Sequence, residues 1–492
     1  MNGQFAQQAQ DARLHRLQPS VPILVSLLPM QFVLLWTDAA IFILVAGAAA
    51  YGAYVVRRPH LAEPWRQVRR RPAAMASLVV LLAYTSVGLL DSVHFRLRLP
   101  DAVPGQPAQY ATEVLSLFDW LVRPLKEDVE RTYSAPLAAY SHAKETVERP
   151  DGTTTRAFPR LTYGGAHLSN PATQWGLDIF VTTVTWAMLG LLAFGLFFGL
   201  PTLAVAQRRA ASNDQSRPPA DTTWPAVLMT AATLFVIGFI AAGISRHYHL
   251  LGTDKVGQDV FYLSLKSIRT GMVIGVLTTL ISLPFAVGLG IAAGYFGRRI
   301  DDGIQYLYTT LSAIPGVLLI AASVLTLQAY MDRNADSFAG VTERADVRLF
   351  MLCLILGVTG WIGLCRLLRG ETMKLREMDY VQAAVSIGAG HGRILARHIL
   401  PNVMHLVLIA AVLDFSGLVL AEAVLSYVGV GVDPSMISWG NMINGARMEM
   451  AREPIVWWSL AAALIFMFSL VLPANLFADA VRDAFDPRLR GR

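Results

Sequence analysis

Charge is what this chain has least of. Only 15% of its 492 residues are Asp, Glu, Lys or Arg, 54% are hydrophobic, and the mean hydropathy is +0.46. A soluble domain carries roughly 25% charged residues, so the composition excludes an ordinary water-soluble fold and predicts an integral membrane protein. Cysteine is nearly absent, with only Cys353 and Cys365. They lie in or beside one predicted membrane helix, where twelve residues separate them by about 18 Å at about 1.5 Å per residue. A bridge needs Cα atoms within about 7 Å, so both read as apolar packing. Lysine is scarce, and none of Lys126, Lys144, Lys255, Lys266 and Lys374 follows a glycine. The chain therefore lacks a GxxxxGK[ST] phosphate loop, and it lacks HExxH as well. If ATP drives this protein, another chain binds it.

What is present is a series of long apolar runs. Nine are long enough to cross a bilayer, which takes about 20 mostly apolar residues: 35–56, 74–92, 180–205, 224–244, 267–295, 304–328, 347–367, 403–429 and 456–477. A shorter piece, Val21 to Trp36, is interrupted by Pro29 and is either an interfacial helix or a tenth span. It lacks a small-residue cleavage site, so no secretory signal peptide is expected. The formal charge of +6 is not a nucleic-acid signal, because the arginines flank apolar runs: Arg57, Arg58, Arg66, Arg69, Arg70, Arg71, then Arg208, Arg209, Arg217, then Arg298 and Arg299. Such flanks are cytoplasmic. The loops at 57–72, 206–223, 297–303 and 368–402 are thus predicted inside, with 93–179, 245–266, 329–346 and 430–455 outside.

The segment 93–179 is rich in proline yet carries Phe118, Trp120, Tyr133 and Tyr140. It is too aromatic for a disordered linker and is predicted to be a small extracytoplasmic domain with short helices around 110–148. The predicted organisation is an N-terminal membrane region (1–92), this insertion (93–179), an extra span (180–206), a cytoplasmic linker (207–223) and a C-terminal core (224–492).

Within the core, Gln382-Ala383-Ala384-Val385-Ser386-Ile387-Gly388 and His398-Ile399-Leu400-Pro401-Asn402 lie in a polar, basic stretch between two spans. Two short surface helices are expected there, joined by a turn at Gly388 and stopped near Pro401. His398 is expected to cap the second of them. His391, His398 and His405 recur every seven residues, but Gly390, Gly392 and Pro401 interrupt that helix, so no metal site is predicted.

This stretch resembles the coupling loop of binding-protein-dependent ABC importer permeases, with Gln382 where that family has glutamate. Other motifs follow in family order. His249-Leu250-Leu251-Gly252-Thr253-Asp254 to Gly257-Gln258-Asp259-Val260 resembles HPLGTDxxGRDV, with Leu250 for the proline and Gln258 for the arginine. Arg269, Ala293-Gly294-Tyr295-Phe296-Gly297 and Ala313-Ile314-Pro315 come next. Leu420-Ala421-Glu422-Ala423, Ser426-Tyr427-Val428-Gly429, Ser438-Trp439-Gly440-Asn441-Met442 and Asp486-Pro487-Arg488-Leu489-Arg490 complete the series. From about Pro225 onward the chain looks like the C-type membrane subunit of dipeptide, oligopeptide and nickel ABC importers.

That resemblance implies an all-α polytopic fold of the bacterial inner membrane: a six-span core, here with about three additional N-terminal spans and a small external segment. It implies no enzymatic activity on this chain, with ATP and Mg on partner ATPase subunits. The implied partners are those ATPases, a paralogous membrane permease forming a heterodimer, an extracytoplasmic solute-binding protein and the lipid bilayer. Gln382, Ala383, Ala384, Gly388, His398 and Pro401 would couple to the ATPase. Asp254, Asp259, Trp439 and Asn441 would lie on loops facing the binding protein, and Arg269 would snorkel at the outer mouth.

Asp414 and Glu422 sit inside an apolar run, where a charge is costly. Eight residues apart, they project from nearly one helix face and would serve the translocation path, a subunit interface, or a structural hydrogen bond. A proton- or ion-coupled secondary transporter using this pair is the alternative reading, and a membrane scaffold is a second. ATP dependence and solute uptake separate them.

Overall fold

The computed structural model describes residues 30–98, 110–148, 154–199, 202, 223–334 and 340–485. The piece before Met30, nearly all of the predicted linker and the terminal motif from Asp486 lie outside them. Among the described residues, eight helices are long and apolar enough to span a membrane, and a bent pair makes a ninth.

Strand β1 (Gln31–Val33) leads into α1 (Trp36–Val56), the short α2 (Pro59–Arg69) and α3 (Pro72–Asp91). Prolines open α2 and α3 at positions whose N–H needs no helical partner. The amphipathic α2 turns Val68 onto Ala480, Val481 and Ala484 near the chain's C-terminal end. β1 pairs with β2 (His94–Arg96), which pairs with β3 (Leu115–Ser116). The described end of the Val21–Trp36 piece is therefore a strand, paired with the segment predicted to lie outside. Short helices α4 (Leu117–Leu121) and α5 (Arg123–Glu127) and a hairpin of β4 (Glu145–Glu148) with β5 (Thr154–Ala157) complete the external segment. The helices expected around 110–148 are there. The strands are not foreseeable, since runs of two to four residues are too short to display a period of two.

α6 (Pro171–Phe194, continued by a π turn to Gly199) and α7 (Trp224–Ile244) pack as an antiparallel pair, through Phe194 with Phe235 and Trp186 with Phe239. α7 also lies on α3. The helices on either side of the predicted linker thus pack with each other.

The organising element is α8 (Val260–Phe296), whose 37 residues reach about 55 Å at 1.5 Å per residue. It is followed by α9 (Arg298–Ser312), α10 (Gly316–Arg333), α11 (Val341–Gly360) and α12 (Ile362–Arg376). Gly290 and Gly294, one turn apart, let α12 approach closely: a Cβ would fall 2.8 Å from the Cys365 carbonyl oxygen at the first and 2.6 Å from that of Arg369 at the second. This is small-residue packing of membrane helices. The span expected at 304–328 is not one straight helix. α9 and α10 meet at 81° across Ala313-Ile314-Pro315, because Pro315 has no N–H to continue the ladder and disfavours helical backbone at Ile314. Arg369 of α12 clamps Asp301 of α9 at 2.5 and 2.7 Å. Cys353 and Cys365 are both buried and free.

Five further helices close the fold: α13 (Asp379–Ser386), α14 (His391–Ile394), which runs through a π turn into α15 (Leu400–Tyr427), and then α16 (Trp439–Glu449) and α17 (Trp458–Phe485). α8 packs on α3, α11, α12 and α15, while α17 packs on α3 and α15.

Candidate functional site

The loop after α12, predicted to be cytoplasmic, is built on one buried anchor. Val381 is fully buried and joins Cys365, Leu368, Ile394, Ile399 and Val403 in a shared core. Around it α13 makes a single short helix closed at its C-terminal end. The Ala389 N–H donates to the Ala384 carbonyl (3.0 Å) and the Gly388 N–H to Val385 (2.9 Å), with Gly388 at φ 82°. These two bonds and the left-handed residue make a Schellman motif. A Cβ at 388 would meet nothing within 4 Å, so the turn needs glycine for its φ alone and not for close approach. Gln382 donates from Nε2 to the Arg376 carbonyl (2.9 Å), tying α13 to the end of α12. A glutamate there would have no N–H to give.

The second half of the loop differs from expectation. No helix stops at Pro401; Leu395–Ile399 form a π turn and the helix continues into the span. A widened turn accommodates the missing proline N–H. His398 therefore caps no helix end. Its ring lies beside Tyr380, and its carbonyl accepts from Asn402 Nδ2 at 2.6 Å. The patch that sequence reasoning missed is apolar: Tyr380, Val385 and Ile387 face outward, Ile387 86% exposed, beside the exposed Gln382 and Ala383.

At the outer side, two distant motifs join. Glu422 is buried near the end of α15 and accepts from Ser426 Oγ (2.8 Å) and Ser438 Oγ (2.9 Å). Ser438 also caps α16 by accepting from the Asn441 N–H. Trp439 is buried with Nε1 on the Ser264 carbonyl (3.1 Å), and Asn441 Nδ2 donates to the Asp433 and Met436 carbonyls. Glu422 is thus a structural tie between α15 and α16. Asp414 is half-buried, and no hydrogen bond links it to Glu422.

The loop 249–259 is not an open face either. His249 Nδ1 meets Asp259 Oδ2 at 2.8 Å, and Nε2 lies 3.5 Å from Glu130 Oε1 in the external segment. Glu130 accepts backbone N–H bonds from Thr162, Tyr163 and Gly164. Burial works to raise the Glu130 carboxyl, but His249 and these three amides hold it down at about 2. Burial alone would lower His249; Asp259 and Glu130 carry it up to about 9. Asp259 also caps α8 on the Phe261 and Tyr262 N–H groups. Asp259 and Trp439 are therefore buried supports, not partner-facing groups. Asp254 turns Oδ1 back onto Val256 and Gln258 N–H, while Lys255, Val256 and Gln258 are exposed.

A third feature was foreseen only in part. Arg269 does not snorkel: it is 5% exposed, with Nη2 at 2.6 Å from Asp38, 2.8 Å from Thr37 and 3.5 Å from Asp346. His94 Nδ1 holds the other Asp38 oxygen at 2.7 Å. One turn earlier on α8, Lys266 reaches Asp91 (3.0 Å) and Asp119 (2.5 Å). Asp91, His94, Asp119, Lys266, Arg269 and Asp346 line a cavity of about 330 Å³ where the external segment, α8 and α11 converge. The signal in the sequence was a charge at one end of four runs, at Asp38, Asp91, Arg269 and Asp346.

Apolar spans packed around a long central helix, with a charged cluster at one end and an uncovered loop at the other, define a multi-pass membrane protein. The family model for the binding-protein-dependent transport system inner membrane component matches residues 286–491. Over 244 residues the chain is 34% identical to the oligopeptide transport system permease protein OppC of Mycobacterium bovis, covering 49% of this chain and 77% of that protein. It is 30% identical over 242 residues to the dipeptide transport system permease protein DppC of Bacillus subtilis, 49% of this chain and 69% of that one. It is 32% identical over 244 residues to the glutathione transport system permease protein GsiD of Pectobacterium atrosepticum, 49% of this chain and 73% of that one. The chain belongs to this family of permeases and is a multi-pass protein of the bacterial inner membrane.

Proposed function

We propose that this chain is one membrane half of an ATP-driven importer of peptides, moved by separate ATPase subunits that dock on the loop around Gly388. The observation that carries the reading is the exposed apolar set Tyr380, Val385 and Ile387 on a helix anchored by Val381 and closed at Gly388. An ATPase pressing on α13 would act on α12 and α14 through the core they share, and α8 runs from that core to the outer charge cluster. Peptides are the common chemistry of the relatives, whose names specify oligopeptide, dipeptide and glutathione transport. ATP and Mg belong to the ATPase chains. A paralogous permease would supply the other half of the path, with Asp414 of α15 on that path or at the subunit interface. A solute-binding protein would deliver substrate to the outer face, where Lys255, Val256 and Gln258 are exposed.

The regions before the core serve as a collar in this account, with the external segment seated on the 249–259 loop and α6 packed on α7 of the core. Cross-linking tests the docking surface. A cysteine at Ile387 in the assembled complex is expected to cross-link to the ATPase, and one at Phe180, exposed on α6, is not. No cross-link from Ile387 in a complex that hydrolyses ATP would remove the loop from the interface.

A further inference from the structure

We infer that the outer cavity beside Glu449 is a subsite for a primary ammonium group, which, resting on the importer reading above, is the free amino end of a peptide. The cavity holds about 180 Å³ between the 254–258 loop, α16 and the start of α17. Glu449 closes α16 and is 6% exposed; Tyr133 Oη donates to its Oε1 at 3.4 Å, while Oε2 has no partner. Ser459, 4% exposed at the head of α17, lies close enough for its hydroxyl to favour the charged carboxylate, yet neither Oγ nor Oε2 completes a hydrogen bond of normal geometry. Asn441 spends both amide hydrogens on the Asp433 and Met436 carbonyls, leaving its oxygen as an acceptor in the same wall. The nearest cations compensate the carboxylate only in part: Lys255, exposed in the cavity wall, acts on Glu449 through space without forming an ion pair with it, and Arg452 stacks on the Tyr133 ring at 5.0 Å.

A buried carboxylate with a free oxygen is costly unless a cation or donor meets it. Burial, with Asp254 nearby, holds the Glu449 carboxyl above its ordinary range even though Ser459, Tyr133 and Lys255 pull it down, as suits a carboxylate only partly compensated. An ammonium group brings three donors and one positive charge, matching three acceptors and one carboxylate. A metal ion fits less well, since no cluster of three His, Cys, Asp or Glu ligands occurs among the described residues. Gln258 strengthens the assignment. It lines both this cavity and the adjoining 330 Å³ cavity, at the position where the resemblance expects arginine. A guanidinium there would compete for the carboxylate, and glutamine leaves it to the ligand.

The test uses the full chain in lipid nanodiscs and two probes, alanyl-alanine amide and its N-acetyl derivative, with binding read by ligand-observed NMR. The free amine is expected to bind and the acetylated probe not to. Glu449→Gln, which keeps shape and removes charge, is expected to weaken the amine at least about tenfold, as for the loss of a charged hydrogen bond. Gln258→Arg, an exposed change that leaves the packing alone, is expected to do the same. Equal binding of both probes, or unchanged amine binding in both variants, overturns the subsite. ATP-driven peptide uptake by the complete complex is measured in parallel. Uptake with no effect of either variant on probe binding sinks the subsite and leaves the importer reading. Amine binding lost in the variants, with no peptide uptake by the parent complex, supports the subsite while refuting peptide import.

Discussion

Replacing Gly388 tests the coupling loop through backbone conformation alone. At φ 82° a side chain meets nothing within 4 Å, so a substitution adds no clash and its cost is that of the left-handed region. For most L-residues that is about 1–2 kcal/mol, with β-branched residues at the high end and asparagine the usual exception. α13 has only eight residues and is too short to persist without its cap and its packed anchor. A loss of 1–2 kcal/mol lowers the population of the closed turn by about 5–30-fold. Gly388→Val should therefore abolish most substrate-stimulated ATP hydrolysis and uptake in the reconstituted complex, Gly388→Ala should fall between, and Gly388→Asn should keep most activity. Membrane abundance of all three should match the parent, because the spans do not depend on this turn. Full transport by Gly388→Val, or equal loss in Val and Asn, would refute the reasoning.

Two other perturbations follow from the outer face. The His249–Glu130 contact makes the seating of the external segment pH-dependent. The Glu130 contribution is present above its ordinary value of 4.5 and is lost as pH falls toward about 2. The His249 contribution is full below its ordinary 6.5 and is lost as pH rises through about 9. Hydrogen-exchange protection of residues 128–142 should therefore plateau between these ordinary values and decline on both sides, by a few kcal/mol at the extremes; Glu130→Gln should flatten the acid arm, and an unchanged profile would contradict the pairing. Arg269→Met leaves Asp38 and Asp346 buried without their cation and should destabilise the detergent-solubilised chain by about 3–5 kcal/mol, read by thermal unfolding; a neutral effect would mean the cluster is hydrated.

Legibility in the sequence followed the length of each signal. Twenty-residue apolar runs and arginine flanks are long-range patterns, and helices occur at all nine predicted spans. The broken ninth was written in Ala313-Ile314-Pro315, where proline chemistry outweighs hydropathy. Gly388 was legible as a turn because a positive φ has few sequence solutions. The continuation of the helix through Pro401 was not, since a π turn that absorbs a proline leaves no mark in composition. Burial was least legible. Asp259 and Trp439 look like loop residues along the chain, but the fold brings Glu130, Ser264 and α8 against those loops. Arg269 could be placed at a span's outer end, but its partners Asp38 and Asp346 lie 231 and 77 residues away.

The central claim is that this chain passes force from an ATPase to a peptide path, and proteoliposomes containing the whole complex test it most directly. Peptide uptake is measured with ATP, with a non-hydrolysable analogue, and with a proton gradient in place of ATP. The account predicts accumulation only with ATP and only when this chain is present. Accumulation driven by the gradient alone, and abolished by Asp414→Asn, would contradict it and establish ion-coupled transport instead.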